Sequence, residues 1–68
     1  MFEPYPCLRE VLVNTKTESS FRGVLWRRRR GYLVLRNALL LRPRAEPQRM
    51  DGEVMIESAN VDFIQVLT

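Results

Sequence analysis

Five short stretches of the chain are rich in Val, Ile, Leu and aromatic residues, several of them alternate between apolar and polar positions, and turn-forming residues separate them. Alternation with a period of two is typical of strands with one face in a core, whereas helices repeat apolar positions every three or four residues. The pattern predicts little helix, with at most one turn near residues 7–10. It predicts five strands, over residues 8–16, 21–27, 32–42, 53–58 and 61–67.

The third predicted strand is the most apolar part of the chain, and both of its faces carry apolar side chains. Strict alternation places Leu33, Leu35, Leu39 and Leu41 on one face and Val34, Ala38 and Leu40 on the other. Both faces of this strand therefore need at least partial cover.

The fourth strand differs from the third because it has one apolar face. Val54 and Ile56 point inward, and Met55 points outward between two glutamates.

Glycines and prolines mark the points where these strands bend or end. Gly23 lies inside the second strand, where a residue without a Cβ allows a tight bend or the close approach of another backbone. Gly31 can adopt the positive φ that a tight turn requires. Pro43 and Pro47 lie in a polar loop, residues 43–50, that is followed by an Asp-Gly pair at the opening of the fourth strand.

Five short, strongly bent antiparallel strands in 68 residues predict an all-β fold: a single small barrel, partly open, of the SH3 or OB type. One domain over residues 1–68 is expected, because typical domains are longer than this chain. A core this small leaves a thin margin of stability, and Cys7, the single cysteine, cannot form an intramolecular disulfide. Association through the open strand edges is therefore the expected source of further stabilisation.

The composition excludes several classes of protein. With no histidine and one cysteine, the chain cannot be a zinc finger or use a histidine-based catalytic triad. Residues 1–6 contain an acid and two prolines, unlike the basic start and apolar run of a secretory signal. No apolar stretch approaches the ~20 residues of a membrane-spanning helix. A reducing, cytoplasmic location without membrane contact is the expectation.

The net charge of +3 conceals a division along the chain. Residues 1–44 hold ten Lys or Arg against three Glu, a net of +7, and residues 45–68 hold one Arg against five acids, a net of −4. Such asymmetry is typical of a basic surface that contacts nucleic acid, or of association between unlike faces of neighbouring subunits. Composition alone leaves both interpretations open.

Two parts of the sequence share an order of apolar residues and glycine with a known family. The first part comprises Val11-Leu12-Val13, Phe21-Arg22-Gly23-Val24-Leu25 and Leu33-Val34-Leu35-Arg36-Asn37-Ala38, and the second comprises Gly52-Glu53-Val54-Met55-Ile56 and Asn60-Val61-Asp62-Phe63-Ile64-Gln65-Val66-Leu67. These parts resemble the two motifs of the Sm-like (Sm and LSm) proteins, and the resemblance covers about 55 of the 68 residues. It implies an Sm-like barrel whose subunits form a ring, in which the fourth strand of one subunit pairs with the fifth strand of the next. The sequence does not indicate the number of subunits. The interface residues that the resemblance implies are Val54, Met55, Ile56, Phe63, Ile64 and Val66.

The sequence departs from the family at the RNA site. Sm proteins contact uridine through an Asp-x-x-x-Asn arrangement between the second and third strands and an Arg-Gly pair in the second motif. Here the first segment has neither the Asp nor the Asn, and Glu57-Ser58 replaces the Arg-Gly pair. A carboxylate repels the phosphates that an arginine would attract. The family's uridine-binding residues are therefore not transferred to this chain.

An arginine run is the most conspicuous chemistry in the chain, and its function has three interpretations. Its guanidinium groups could bind phosphates, with flanking aromatics stacking on unpaired bases. They could instead pair with acids of this chain, such as Glu53 and Glu57, or of another protein, or they could serve solubility. The residues of the predicted nucleic-acid site are Trp26, Arg27, Arg28, Arg29, Arg30 and Tyr32.

Several other residues have a simple structural interpretation. Trp26 and Phe63 are aromatics on strands, which more often belong to a core than to a binding site. The acids Asp51, Glu53, Glu57 and Asp62 alternate outward with no nucleophile nearby, so neither enzymatic activity nor a metal or cofactor is expected.

Two functions follow from the sequence. The first is a non-catalytic assembly or docking subunit that forms a homo-oligomeric ring or joins a larger protein assembly. A compact chain of this kind also resembles small accessory barrels encoded by tailed phages, which would place it in a virion. The second is binding of RNA or single-stranded nucleic acid through the arginine run, with no small-molecule substrate.

Overall fold

The structure is a computed structural model that describes residues 7–68. The expectations about the first six residues lie outside the described residues. The described chain forms one five-stranded antiparallel sheet in the order β4-β3-β2-β1-β5. Its elements are β1 (Glu10–Thr15), β2 (Ser20–Arg29), β3 (Tyr32–Leu41), β4 (Gln48–Glu57), a single 3-10 turn (Ser58–Asn60) and β5 (Val61–Val66).

The hairpin between β1 and β2 is held by its polar turn. The Thr15 hydroxyl donates to the carbonyl of Ser19 at 2.6 Å, and the Ser20 hydroxyl donates to the Asn14 amide oxygen at 3.1 Å. Thr15 is buried, and this hydrogen bond satisfies its hydroxyl without water. The polar turn therefore fixes the register of β1 on β2.

The core lies on the concave face of the sheet, here called the core face; the opposite face is the outer face. β-branched and leucine side chains from alternate positions fill the core face, as a period-two pattern requires. Phe21, Val54, Val61 and Ile64 are half-buried around this cluster. The buried cluster consists of Val11, Val13, Leu25, Leu33, Leu35, Ala38 and Ile56.

Gly23 marks the bend of β2, as the sequence predicts. A Cβ at this position would lie 2.9 Å from the Arg36 carbonyl oxygen and 3.0 Å from the Ala38 Cα. Both atoms belong to the backbone of β3, which cannot easily shift. Only a residue without a side chain therefore lets β3 cross β2 this closely.

The predicted division of β3 into two faces is wrong beyond Arg36. Asn37 adopts a positive φ of 54° and interrupts the register between β3 and its neighbours. Such a bulge moves every later side chain to the opposite face. Ala38 and Leu40 are therefore buried with Leu33 and Leu35, and Leu39 and Leu41 are not.

Two strands are longer than predicted. β2 continues through Arg29, and β4 begins at Gln48 inside the predicted loop. Gly52 lies within β4 and not before it, at a φ of 74° beside the bulge of β3. Backbone pairing with β3 extends both strands, because hydrogen bonds to a long neighbour do not depend on apolar alternation.

The 3-10 turn closes the sheet toward a barrel. The Ser58 N–H donates to the Gly31 carbonyl at 2.8 Å, and the Lys16 N–H donates to the Asn60 carbonyl at 2.8 Å. These two bonds tie the turn to the β2–β3 hairpin and to the end of β1. Among the described residues β4 pairs only with β3, and β5 only with β1. The prediction of an all-β, five-stranded, strongly bent antiparallel barrel is confirmed.

Candidate nucleic-acid interface and subunit edges

The arginine run is largely a strand and not the loop that the sequence predicted. Arg27, Arg28 and Arg29 belong to β2. The connection to β3 is the two-residue turn Arg30-Gly31, with φ values of 47° and 80°. Two successive positive φ angles are typical of the hairpin turn whose twist matches that of the flanking strands. This two-residue turn therefore takes the place of the longer loop that the sequence predicted.

Strand geometry distributes the arginines between the two faces of the sheet. Arg27 lies opposite Val34 and Arg29 opposite Tyr32, and both side chains lie on the outer face. Arg28 alternates to the other face. Arg27, Arg29 and Arg30 are exposed and form no ion pair in the described part of the chain.

Trp26 is neither a core residue nor a free stacking platform. It occupies a bulge of β2 and is 37% exposed. The guanidinium carbon of Arg36 lies 3.9 Å from the centre of the Trp26 ring, a cation–π contact that covers one face of the indole. Tyr32, the other predicted aromatic, lies beside the arginine run and is 36% exposed.

Arg36 also forms an ion pair with Glu53. Its Nη2 and Nε donate to one carboxylate oxygen of Glu53, at 2.8 and 3.1 Å. Glu53 is therefore the partner of Arg36 and not of the arginine run. Trp26, Arg36 and Glu53 form a ladder across β2, β3 and β4 on the outer face. No sequence pattern indicated the central position of Arg36.

The segment that replaces the Arg-Gly pair lies next to the hairpin turn. Glu57 is opposite Tyr32, and Ser58 bonds through its N–H to Gly31. The Ser58 hydroxyl oxygen is buried and has no hydrogen-bond partner in the described structure. The two family positions thus meet in space, but here they offer a carboxylate and a hydroxyl where the family offers a guanidinium.

The predicted interface residues occupy the two edge strands. Met55, Phe63 and Val66 are 55%, 56% and 44% exposed. Val54 and Ile64 are half-buried against the core, and Ile56 is fully part of it. Phe63 is therefore not the core residue that strand statistics favoured.

Hydrogen bonds at the strand ends identify the open backbone groups on each edge. Because the Ser58 N–H donates to the carbonyl of Gly31, the residue before β3, the alternation along β4 turns the N–H and C=O of Glu57, Met55 and Glu53 away from β3. The Leu67 N–H donates to the Glu10 carbonyl at 2.8 Å. By the same alternation, Ile64 and Val66 turn their backbone groups away from β1.

Other kinds of site find no support among residues 7–68. No three or more His, Cys, Asp or Glu side chains of this segment come together in a way that could hold a metal ion. The surface of the same segment has no pocket. It also contains no helix with the length and apolar character needed to cross a membrane.

Comparison with known proteins identifies the fold. No protein-family model and no curated protein sequence matches the chain. Among solved structures, the chain is similar to an Sm protein of Pyrococcus abyssii in complex with a uridine heptamer. The two are 27% identical, with a TM-score of 0.77, over 90% of this chain and 86% of the other. This chain therefore has the small β-barrel fold of the Sm-like proteins, as its two motifs implied.

Proposed function

We propose that this protein is a non-catalytic Sm-like subunit that assembles with copies of itself by pairing β4 of one subunit with β5 of the next. The observation that carries the proposal is the pair of sheet edges, on which, among residues 7–68, backbone groups have no strand partner and apolar side chains are exposed. An exposed apolar edge strand favours pairing with another chain. The similarity to an Sm protein supports the same assembly.

The geometry of the two edges restricts how they can pair. In an antiparallel ladder, residues whose N–H and C=O groups point toward each other lie directly opposite, with side chains on one face. Met55, on the outer face of β4, must therefore lie opposite a residue such as Ile64 or Val66 on the core face of the next β5. Each apolar side chain would gain an apolar neighbour and lose its exposure.

The same alternation determines which side chains meet on the other face where β4 pairs with β5 of the next subunit. Val54 and Ile56 on the core face of β4 would share that face with Phe63 and Leu67 of the next subunit. Phe63 is more than half exposed in the single chain. Its burial beside the edge of a neighbouring core would supply the stabilisation that a core of this size lacks.

Native mass spectrometry and light scattering of Val66→Pro test the assembly. Proline removes the outward N–H of Val66, and Val66→Thr retains both the N–H and the shape of the side chain. We expect the wild-type chain and Val66→Thr to form a closed oligomer of one mass, and Val66→Pro to form smaller species. An unchanged mass for Val66→Pro would contradict pairing through β5.

A second candidate function is the binding of single-stranded nucleic acid, which would make the assembly an RNA-binding ring. It is supported by the exposed Arg27, Arg29 and Arg30, which form no ion pair within residues 7–68, and by the neighbour that was solved with a uridine heptamer. Guanidinium groups contact phosphates, and one tyrosine can stack on a base. Because the uridine-reading residues are replaced, weak base preference and strong salt dependence are expected.

Fluorescence anisotropy with labelled RNA tests this second function. The variant R27Q/R29Q/R30Q removes three phosphate contacts, so the slope of log K against log salt should fall by about 2. Arg22→Gln is the control, because Arg22 already pairs with Glu10 at 3.0 Å. A flat salt profile for the wild-type protein would exclude phosphate binding by the run.

The location that we propose depends on the source of the chain. The single thiol of Cys7 favours the reducing cytoplasm, and a phage-encoded subunit would be located in a virion.

A further inference from the structure

Glu57 carries a charge that the fold of the single chain does not use. It is exposed at the C-terminal end of β4, opposite Tyr32, whose other neighbour in the sheet is Arg29. No ion pair joins Glu57 to that arginine or to any other cation within residues 7–68. Glu53, by contrast, pairs with Arg36 on the same sheet. The carboxylate of Glu57 therefore remains available to a cation of another molecule.

Lys16, the only lysine of the chain, lies beside the opposite edge of the sheet. Its N–H donates to the carbonyl of Asn60 at 2.8 Å, so Lys16 is next to the residue that precedes β5. It follows the last residue of β1, and its exposed side chain is therefore not held on one face by a strand ladder. Although β5 carries Asp62, Lys16 forms no ion pair with it or with any other acid of residues 7–68.

Pairing of β4 with β5 of the next subunit, here called the joint, brings these two charges to the same end. β5 is antiparallel to β1 and would be antiparallel to the neighbouring β4, so that β4 and β1 run in the same direction. The end of β4 at Glu57 then lies beside the start of β5, where Asn60 is bound to Lys16. Only β5 separates the two strands, so their backbones are two strand spacings, about 10 Å, apart. Extended glutamate and lysine side chains can bridge that gap.

The opposite end of the joint has the same order of charge. Asp51 is exposed six residues before Glu57 on β4. Arg9 is exposed seven residues before Lys16, and its guanidinium group donates to the carbonyl of Thr68, just beyond β5. At about 3.4 Å per residue, these separations are roughly 20 and 24 Å. The acids of one edge and the bases behind the other edge therefore match in sign, order and spacing, which favours a second copy of this chain as the neighbour.

We propose that an ion pair between Glu57 of one subunit and Lys16 of the next selects a second copy of this chain as the neighbour at each joint. The inference rests on the proposed pairing of β4 with β5. The carboxylate that replaces the family's arginine then recognises a protein subunit. Charged pairs at the rim of an interface contribute more to partner choice than to affinity. A related subunit with an acid in place of Lys16 would be rejected by like-charge repulsion.

Zero-length cross-linking with a carbodiimide tests the contact directly, because the reagent joins a carboxylate to an amine and the chain has one lysine. Chains labelled with a heavy isotope and unlabelled chains are unfolded, refolded together, cross-linked and digested. We expect the peptide with Lys16 to be joined to the peptide with Glu57, with both isotopes in one product. Cross-links of Lys16 to Asp62 or Glu18 alone, or only within single chains, in an oligomer of unchanged mass would overturn the ion pair and leave the ring intact.

Two charge reversals and their mixture give an independent test. Glu57→Lys and Lys16→Glu each place like charges across the joint, which should raise the dissociation constant of a joint roughly 10-fold. In a mixture of the two variants, joints between unlike chains again have opposite charges, so association should return toward that of the wild type. Glu46→Lys changes an exposed acid in the loop between β3 and β4 and is the control for net charge. It should leave association unchanged.

Sedimentation velocity of the variants, alone and mixed, separates the possible outcomes. Full association of each reversed variant alone, or a loss that mixing does not relieve, would overturn the ion pair while the ring stands. A wild-type chain that remains a single subunit at every concentration would overturn the pairing of β4 with β5, and the ion pair with it.

Discussion

The middle strands and the edge strands of the sheet use their apolar residues differently. β1, β2 and β3 contribute every buried member of the core except Ile56. β4 and β5 carry Met55, Phe63 and Val66, which are the most exposed apolar side chains within the strands. The middle of the sheet therefore buries most of its apolar surface within one chain, whereas the edges leave apolar surface exposed beside an open strand.

Replacement of a middle-strand leucine should have the largest effect on stability. Leu35→Ala leaves a cavity at a fully buried site, and a loss of about 2 to 5 kcal/mol in the free energy of unfolding is expected. Met55→Ala on the edge is the control and should change it by less than about 0.5 kcal/mol at concentrations where the chain is monomeric. Urea denaturation measures both, and equal losses would contradict the difference between middle and edge.

Gly23→Ala should have the next largest effect. The new Cβ would meet the backbone of Arg36 and Ala38 at 2.9 and 3.0 Å, and overpacking of this kind costs about 1 to 3 kcal/mol. Gly31→Ala is the contrasting variant, because nothing lies within 4 Å of its Cβ and only the positive φ opposes the change. It should cost about 1 kcal/mol. Thermal unfolding that ranks Gly31→Ala as the more damaging change would refute the close crossing at Gly23.

The outer-face ladder of Trp26, Arg36 and Glu53 should contribute modestly to the free energy of unfolding. Arg36→Gln removes an exposed ion pair with Glu53 and the contact with Trp26, so a loss of at most about 1 kcal/mol is expected. Arg22→Gln removes a single ion pair with Glu10 and no aromatic contact. The difference between the two variants in urea denaturation sets an upper limit on the Trp26 contact, because Arg36 also donates a second hydrogen bond to Glu53. If it is zero, the indole gains no stability from Arg36.

Phe63→Ser should have the smallest effect on the stability of the single chain and a large effect on assembly. The side chain is more than half exposed, so the monomer should lose less than about 0.5 kcal/mol. In the proposed ring the same change removes an aromatic contact at every joint. Sedimentation velocity over a range of concentrations should show weaker association, and full-size oligomers at wild-type concentrations would count against a joint at Phe63.

Much of the fold was predictable because it follows from local pattern. Alternation of Val11, Leu12 and Val13 predicts a half-buried strand, and the break at Ala59-Asn60 falls in the observed 3-10 turn. The position of Gly23 predicted a bend that the contacts with β3 confirm. These features depend on one residue and its immediate neighbours in sequence.

The candidate site was less predictable, because partners on other strands decide it. Nothing in the arginine run shows that Arg27 to Arg29 pair with β3, since four successive arginines have no alternation to read. The contact of Arg36 with Trp26 joins residues ten positions apart whose alignment depends on a bulge. Sequence reasoning therefore left Trp26 between a core position and base stacking, and it placed the run in a loop.

From the amino-acid order alone came the strand count, the bend, the loss of the uridine-reading residues and the concentration of positive charge. The tertiary structure alone determined which face each side chain of β3 occupies, which arginines have carboxylate partners and which backbone groups remain open at the edges. The physical reason is that a single bulge, as at Asn37, reverses the facing of all later residues on its strand. The energy of that bulge depends on the neighbouring strands, which no local pattern encodes.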